Sequence, residues 1–290
     1  MNESQKAPRS MRTLGLELLE ASSSYEGLVV TTGVETAVIA GLAARQRRLL
    51  RSAYRLADAD ERLEAQIIVR SQIEFLIVQK WLQLDPELHF PLWFIEDVRA
   101  RFAIQTDVLR AYGIDVIEPR NVERYEKVRE GRRGELAQIC ERREIDVPGY
   151  PSLIEQAEAV GEGGSYALAY RYDSQTAVHP QALAIEQLLD QIPKGLAIRS
   201  ESHALAVDTH ATSAVALLVA LKSAAEHSPE LAFVELEELD KEITAQRPEG
   251  AVERNDQDNR DDDDNNAEQP RPPRGPRRLR ALRRPTRPTK

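Results

Sequence analysis

The sequence predicts an all-α fold: a multi-helix bundle around a central buried helix, with a disordered C-terminal tail. Three observations carry that prediction. Up to residue 246, Ala, Leu, Glu and Arg dominate, Gly and Pro are sparse and β-branched runs are few. The stretch Glu61 to Leu84, ERLEAQIIVRSQIEFLIVQKWLQL, is apolar around nearly its whole circumference when wound at the helical period. From Arg247 the chain turns acidic and Asn-rich, then basic and Pro-rich, and neither half can bury enough apolar surface to offset chain entropy. The expected division is a helical domain over 1–246 and a tail over 247–290.

The elements follow in order. Arg9 to Glu20 is an amphipathic helix on Met11, Leu14, Leu18 and Leu19. Val34 to Ala57 is a second, with Val38, Leu42, Leu49 and Ala53 inward and Arg45, Arg47, Arg48 and Arg51 covering the outside. Asp58 or Asp60 is placed to cap the central helix, and Asp85-Pro86 stops it. A fourth helix runs from Phe90-Pro91 to Tyr112, where Gly113 ends it. Glu118 to Glu144 is a charged surface helix with a candidate break at Gly131 and Gly134. After a PGYP turn come helices over Ser152–Val160, Ser165–Val178 and Gln181–Gln191. A small hairpin is expected within Leu196–Val207, then an Ala-rich helix over Thr209–His227 and a last one from Pro229 to Gln246.

Charge is unevenly spread. Residues 1–246 carry 27 Lys+Arg against 39 Asp+Glu, whereas the tail carries 12 against 9. An acidic body argues against a broad nucleic-acid face there. The basic run Arg271 to Lys290 instead predicts weak, salt-sensitive nucleic-acid contact. With the single Cys140, no disulfide framework and no thiolate metal site can form, and a cytoplasmic setting is expected. The N-terminal MNESQKAPRSMR lacks a secretory apolar stretch, and the longest apolar run, Ala214 to Leu221, is too short to span a bilayer. No membrane insertion is expected. Neither a glycine-rich phosphate loop, nor a nucleophile elbow, nor HExxH is present, so no cofactor and no metal are expected. A homodimer is an expected partner state.

Two constellations stand out. On the central helix Ala65, Gln72, Gln79 and Gln83 share one narrow face. Opposite lie Leu63, Ile67, Ile77 and Trp81, with Arg70 and Glu74 among them. Charges in an apolar setting should be largely desolvated and so need partners, with loss of Glu74 costing on the order of 3 kcal/mol. The second constellation is YALAYRYDSQTAVHP, Tyr166 to Pro180, where Tyr166, Tyr170, Ser174 and Ala177 share a helical face and His179 sits at the end. The bland reading is that Arg70 and Glu74 fix helix register, that Tyr170 and Ser174 are satisfied core polars, and that His179 is a junction residue.

Arg70-x-x-x-Glu74, followed far downstream by Tyr170-x-x-x-Ser174 and His179-Pro180, resembles an uncharacterised bacterial family of helical proteins catalogued as a domain of unknown function. The resemblance covers roughly Leu49 to Leu221. It implies an all-helical domain with a polar cluster of Arg70, Glu74, Tyr170, Ser174 and His179, and no established activity. A weaker resemblance is to the HEPN nucleases, whose signature is an arginine followed four to six residues later by histidine. Here seven residues separate Arg171 from His179. Eight helical steps span about 12 Å, too far for both to grip one phosphate on an unbroken helix.

Two functions therefore compete. The first is a cytosolic binding or interaction module whose polar centre is structural or takes a small polar ligand or partner. The alternative is an HEPN-like, metal-independent ribonuclease of a stress or phage-defence system. In it Arg171 would stabilise the phosphate and His179 would act as general acid or base. An open cleft would favour the nuclease, a closed hydrogen-bonded cluster the module.

Overall fold

The computed structural model describes residues 9–167, 189–192, 195–198 and 209–246. Helix α1 (Met11–Ala21) is capped by Ser10, whose hydroxyl accepts from the Thr13 N–H, and it buries Leu14, Leu18 and Leu19. A 3₁₀ turn, Ser22–Tyr25, ends it. Helix α2 (Val34–Asp58) and helix α3 (Arg62–Leu84) follow, packed on each other. No side chain caps α3. Asp60 takes a left-handed conformation and accepts from Arg62, while Asp58 is committed to α1 and a later helix.

Asp85 separates α3 from α4 (Pro86–Tyr112) and caps the latter through the Leu88 N–H. Helix α4 thus begins a turn earlier than its apolar pattern suggested. Gly113, at φ 66°, returns its N–H to the Leu109 carbonyl and stops it. Helix α5 (Pro119–Arg143) runs unbroken through Gly131 and Gly134. It packs antiparallel on α4, where Arg132 lies 4.7 Å over Phe94, Arg129 5.5 Å over Phe102 and Arg101 5.4 Å over Tyr125. These stacks hold the helix together across its two glycines.

Ser152 and Glu155 form a capping box at α6 (Leu153–Ala159), and a single turn, α7 (Gly163–Ser165), follows. The two strands, β1 (Leu189–Ile192) and β2 (Gly195–Ile198), pair antiparallel with Leu189 opposite Ile198. The hairpin therefore lies earlier than expected, and Leu189 to Gln191 are strand where a helix was foreseen. Pro193 and Gly195 disfavour helix at that point in the sequence. The remainder of the expected helices over 165–178 and 181–191 lies outside the described residues.

Helix α8 (Thr209–His227) packs against α1, α2 and α3. Its Ala214, Ala216, Ala220 and Ala224 are buried, and such small side chains admit neighbouring helices closely. The last expected helix is divided: a 3₁₀ turn, Pro229–Leu231, precedes α9 (Leu236–Ala245). Tyr25 donates to the Leu231 carbonyl at 2.7 Å and Phe233 packs on the core, which fixes the chain in an extended step between the two. The main core unites α1, α2, α8 and α9 with Trp81, Leu82, Phe90 and Leu136, and a smaller cluster joins Ile73, Leu76 and Ile77 to Ala157, Ala216 and Ala220. The fold is all-helical in its bundle, and α3 shares its centre with α8. Among the described residues no helix is long and apolar enough to cross a membrane.

Candidate functional site

The face of α3 that carries the chemistry is set by which of its sides is sealed. The glutamine face is the inner one. Ala65, Gln72 and Gln79 are fully buried, with Gln46 of α2 beside them. Gln46 Nε2 donates to the Gln72 carbonyl at 2.8 Å, and Gln72 Nε2 returns a longer bond to the Gln46 carbonyl. Towards α8, Ser213 Oγ donates to Gln72 Oε1, Gln79 Nε2 to the Ala220 carbonyl at 2.7 Å, and Gln83 Nε2 to the Ser223 carbonyl at 2.6 Å. The partners rise together along both helices, so α3 and α8 lie parallel and in register. On a helical wheel this amide face lies opposite Leu63, Ile67, Ile77 and Trp81. Its signal was the lack of any charge between Ala65 and Gln83 on that stripe.

Arg70 and Glu74 consequently lie at the rim. Their ion pair is 3.1 Å long, and their side chains are 18% and 35% exposed. They are half-buried rather than sealed. Burial still raises the Glu74 carboxyl above its ordinary value, and the Arg70 charge opposes that only in part.

The adjoining turns of α3 anchor the chain that leads to the second constellation. Ile73, Leu76 and Ile77 pack with Ala157 of α6, and Tyr166 lies against this cluster. Lys80 Nζ reaches Glu162 at 2.7 Å, Ser165 Oγ donates to the same carboxylate at 2.6 Å, and the Tyr166 N–H donates to the Glu162 carbonyl. The chain at Tyr166 is thus tied to α3, the helix that bears Arg70 and Glu74. Tyr170, Ser174 and His179, and the nuclease candidate Arg171, lie outside the described residues.

Two polar clusters were not foreseen. Arg47, placed on the exterior by the sequence pattern, is 2% exposed. Its guanidinium donates to Ser22 Oγ at 2.8 Å, to the Leu19 carbonyl at 2.7 Å and to Glu26 Oε1 at 2.9 Å. It serves the carbonyl end of α1, which lacks intrahelical donors. The second cluster joins three helices: Arg12 grips Asp58 with two bonds, of 2.8 and 2.6 Å, and His210 Nε2 lies 3.2 Å from the same carboxylate. Tyr54 meets the His210 ring edge-on and donates to the His210 carbonyl at 3.0 Å. The Arg12 hydrogen bonds, helped by His210, hold the Asp58 carboxyl at about 2, so it is an anion at physiological pH.

Among the described residues no group of three His, Cys, Asp or Glu side chains could hold a metal ion. What the α3 rim offers is one cation and one carboxylate of raised proton affinity, side by side on a rigid helix. That arrangement suits recognition of a polar group.

A family model described as a family of unknown function, DUF5677, matches residues 36–195. No curated protein and no solved structure matches the chain.

Proposed function

The chain belongs to the DUF5677 family of unknown function, and from that premise we propose that it is a cytosolic helical binding module. Its polar centre is Arg70 and Glu74 joined by Tyr170, Ser174 and His179. The observation that carries this reading is the packing of Tyr166, four residues before Tyr170, on the Ile73, Leu76 and Ile77 cluster of α3, the helix that also bears the half-buried Arg70–Glu74 pair. The span that matches the family contains all five residues and excludes α1, α8, α9 and the tail. Nothing in the match or in the described residues favours ribonuclease chemistry.

A double-mutant cycle tests the centre. Arg70→Gln and Tyr170→Phe, made singly and together, should show a coupling of about 0.5 kcal/mol or more in urea unfolding. Additivity within a few tenths would separate the two residues. A thermal shift with small carboxylate and phosphate anions, lost in Arg70→Gln, would identify the arginine as the contact.

Two partner readings accompany the centre. The tail binds nucleic acid weakly through its nine basic residues between Arg271 and Lys290. Deleting 271–290 should abolish binding at low salt and leave the melting temperature nearly unchanged; equal binding by the truncated chain refutes it. The chain also pairs with itself as a homodimer.

A further inference from the structure

We propose that the outer face of α2 is a narrow ridge that holds the phosphate backbone of a nucleic-acid strand. The proposal rests on the tail reading for most of the affinity and adds a contact made by the folded body. Residues 36–57 contain five arginines and no acidic residue. Arg47 points inward, while Arg45, Arg48, Arg51 and Arg55 are exposed. Wound at the helical period, these four fall within about a third of the circumference. They span about 15 Å of the axis at 1.5 Å per residue. Few of these charges are answered. Glu26 is shared between Arg51 and the sealed Arg47. Arg45 lies 5.8 Å over the Phe75 ring, which leaves its charge unneutralised. Among the described residues Arg48 and Arg55 make no ion pair. Asp58 and Asp60, next along the chain, are held by Arg12 and Arg62. Glu61 and Glu64, where α3 begins, set the limit of the ridge beyond Arg55.

Charge and shape select the occupant. Without these five arginines, residues 1–246 carry 22 Lys+Arg against 39 Asp+Glu, so the ridge is a positive strip on an acidic body. A broad anionic membrane would press on those acids as well, whereas a strand can follow the ridge alone. A protein partner needs apolar anchors. The other exposed residues of 36–57 are Ala37, Gly41 and Ser52, which offer none. Guanidinium forks match phosphate oxygens, and contacts to the backbone carry no sequence preference. Two or three such contacts alone fall at the weak end of this binding, with a dissociation constant of roughly 10⁻⁴ M or above. At micromolar concentrations the ridge is therefore silent without the tail, and in the full chain it adds affinity.

Fluorescence anisotropy of a labelled single-stranded RNA of about 20 nucleotides, titrated with the full chain at several salt concentrations, reads this contact. Arg48→Gln with Arg55→Gln should weaken binding about tenfold at low salt. It should also lower the salt slope by about 1.4, roughly 0.7 for each lost phosphate contact. Arg48→Lys with Arg55→Lys, which keeps both charges, should restore most of the affinity and the slope. Arg124→Gln with Arg133→Gln removes two exposed charges from α5, where Glu123, Glu126 and Glu130 are interspersed. That pair should change binding by less than about twofold, because the net charge of the body is not what holds the strand. Thermal unfolding checks that each variant is folded. A full chain that binds no RNA overturns the tail reading and the ridge together. Binding indifferent to the Arg48 and Arg55 changes, or weakened equally by the α5 pair, overturns the ridge alone. If Arg48→Gln with Arg55→Gln releases the chain from phosphatidylcholine–phosphatidylserine vesicles but not from RNA, the choice of nucleic acid is overturned.

Discussion

Replacing Arg47 with Ala should be among the most destabilising single changes in this bundle, although sequence pattern alone treats it as a surface arginine. The guanidinium is sealed, and two of its three bonds go to groups inside the protein, Ser22 Oγ and the Leu19 carbonyl. A buried bond to a charged donor contributes about 1.5 kcal/mol or more, and truncation also leaves a cavity. The third partner, Glu26, has a side chain 51% exposed and keeps a second arginine, Arg51, at 2.8 Å, so losing the Arg47 contact matters little there. The expected loss for Arg47→Ala is therefore about 3 kcal/mol. Urea unfolding followed by circular dichroism measures it, with Glu26→Gln as the control that should change little. A loss below about 1 kcal/mol, or a control equal to Arg47→Ala, would refute the view that the arginine acts by capping α1.

Three further outcomes follow from the same geometry. Gly15→Ala would place a Cβ 1.8 Å from the Tyr54 hydroxyl and displace its bonds to Met11 and His210; thermal unfolding should show a loss of about 1–3 kcal/mol despite the better helix propensity of Ala. Glu74 has a folded-state proton affinity raised by burial, so its charge is a liability that grows as pH rises above 4.5. Glu74→Gln should thus be the more stable protein near neutrality and lose that advantage by about pH 4.5, and a less stable variant at pH 7 would show that the Arg70 pairing outweighs desolvation. Asp58 is shifted the other way, from 3.8 to about 2, so its contribution is complete above 3.8 and disappears as pH falls through 2. Between pH 4 and 2 the wild type should therefore lose more stability than Asp58→Asn, and parallel losses would sever Asp58 from acid unfolding.

The helices were legible where periodicity and punctuation agreed. Asp85-Pro86 and Gly113 bound α4, and Ser152 with Glu155 announces α6, because these residues act on the backbone next to them. What could not be read was which side of α3 is inner. Gln72 and Gln79 look solvated on a wheel, and become interior only because Ser213 and Ala220, some 140 residues later, supply partners. Arg47 escaped for the same reason: its acceptors sit on another helix. For the candidate site, Arg70 and Glu74 are legible as a pair on α3, but their exposure depends on how other helices pack around that one, which a single helix's pattern does not carry.

The parallel amide seam between α3 and α8 also bears on how the chain is made. Residues 72 and 213 must meet, and at about 5–20 residues per second a ribosome needs roughly 7–28 s to span that gap. During this interval α2 and α3 can associate, since Gln46 and Gln72 already exchange amide-to-carbonyl hydrogen bonds across them. The side of α3 left waiting carries primary amides, which water solvates well, beside the apolar Ile73, Leu76 and Ile77 that Ala216 and Ala220 later cover. Closure by α8 is then a late, long-range event of the kind that slows folding. The glutamine seam reduces, without removing, the apolar side that the half-made bundle shows to water, and α8 completes it.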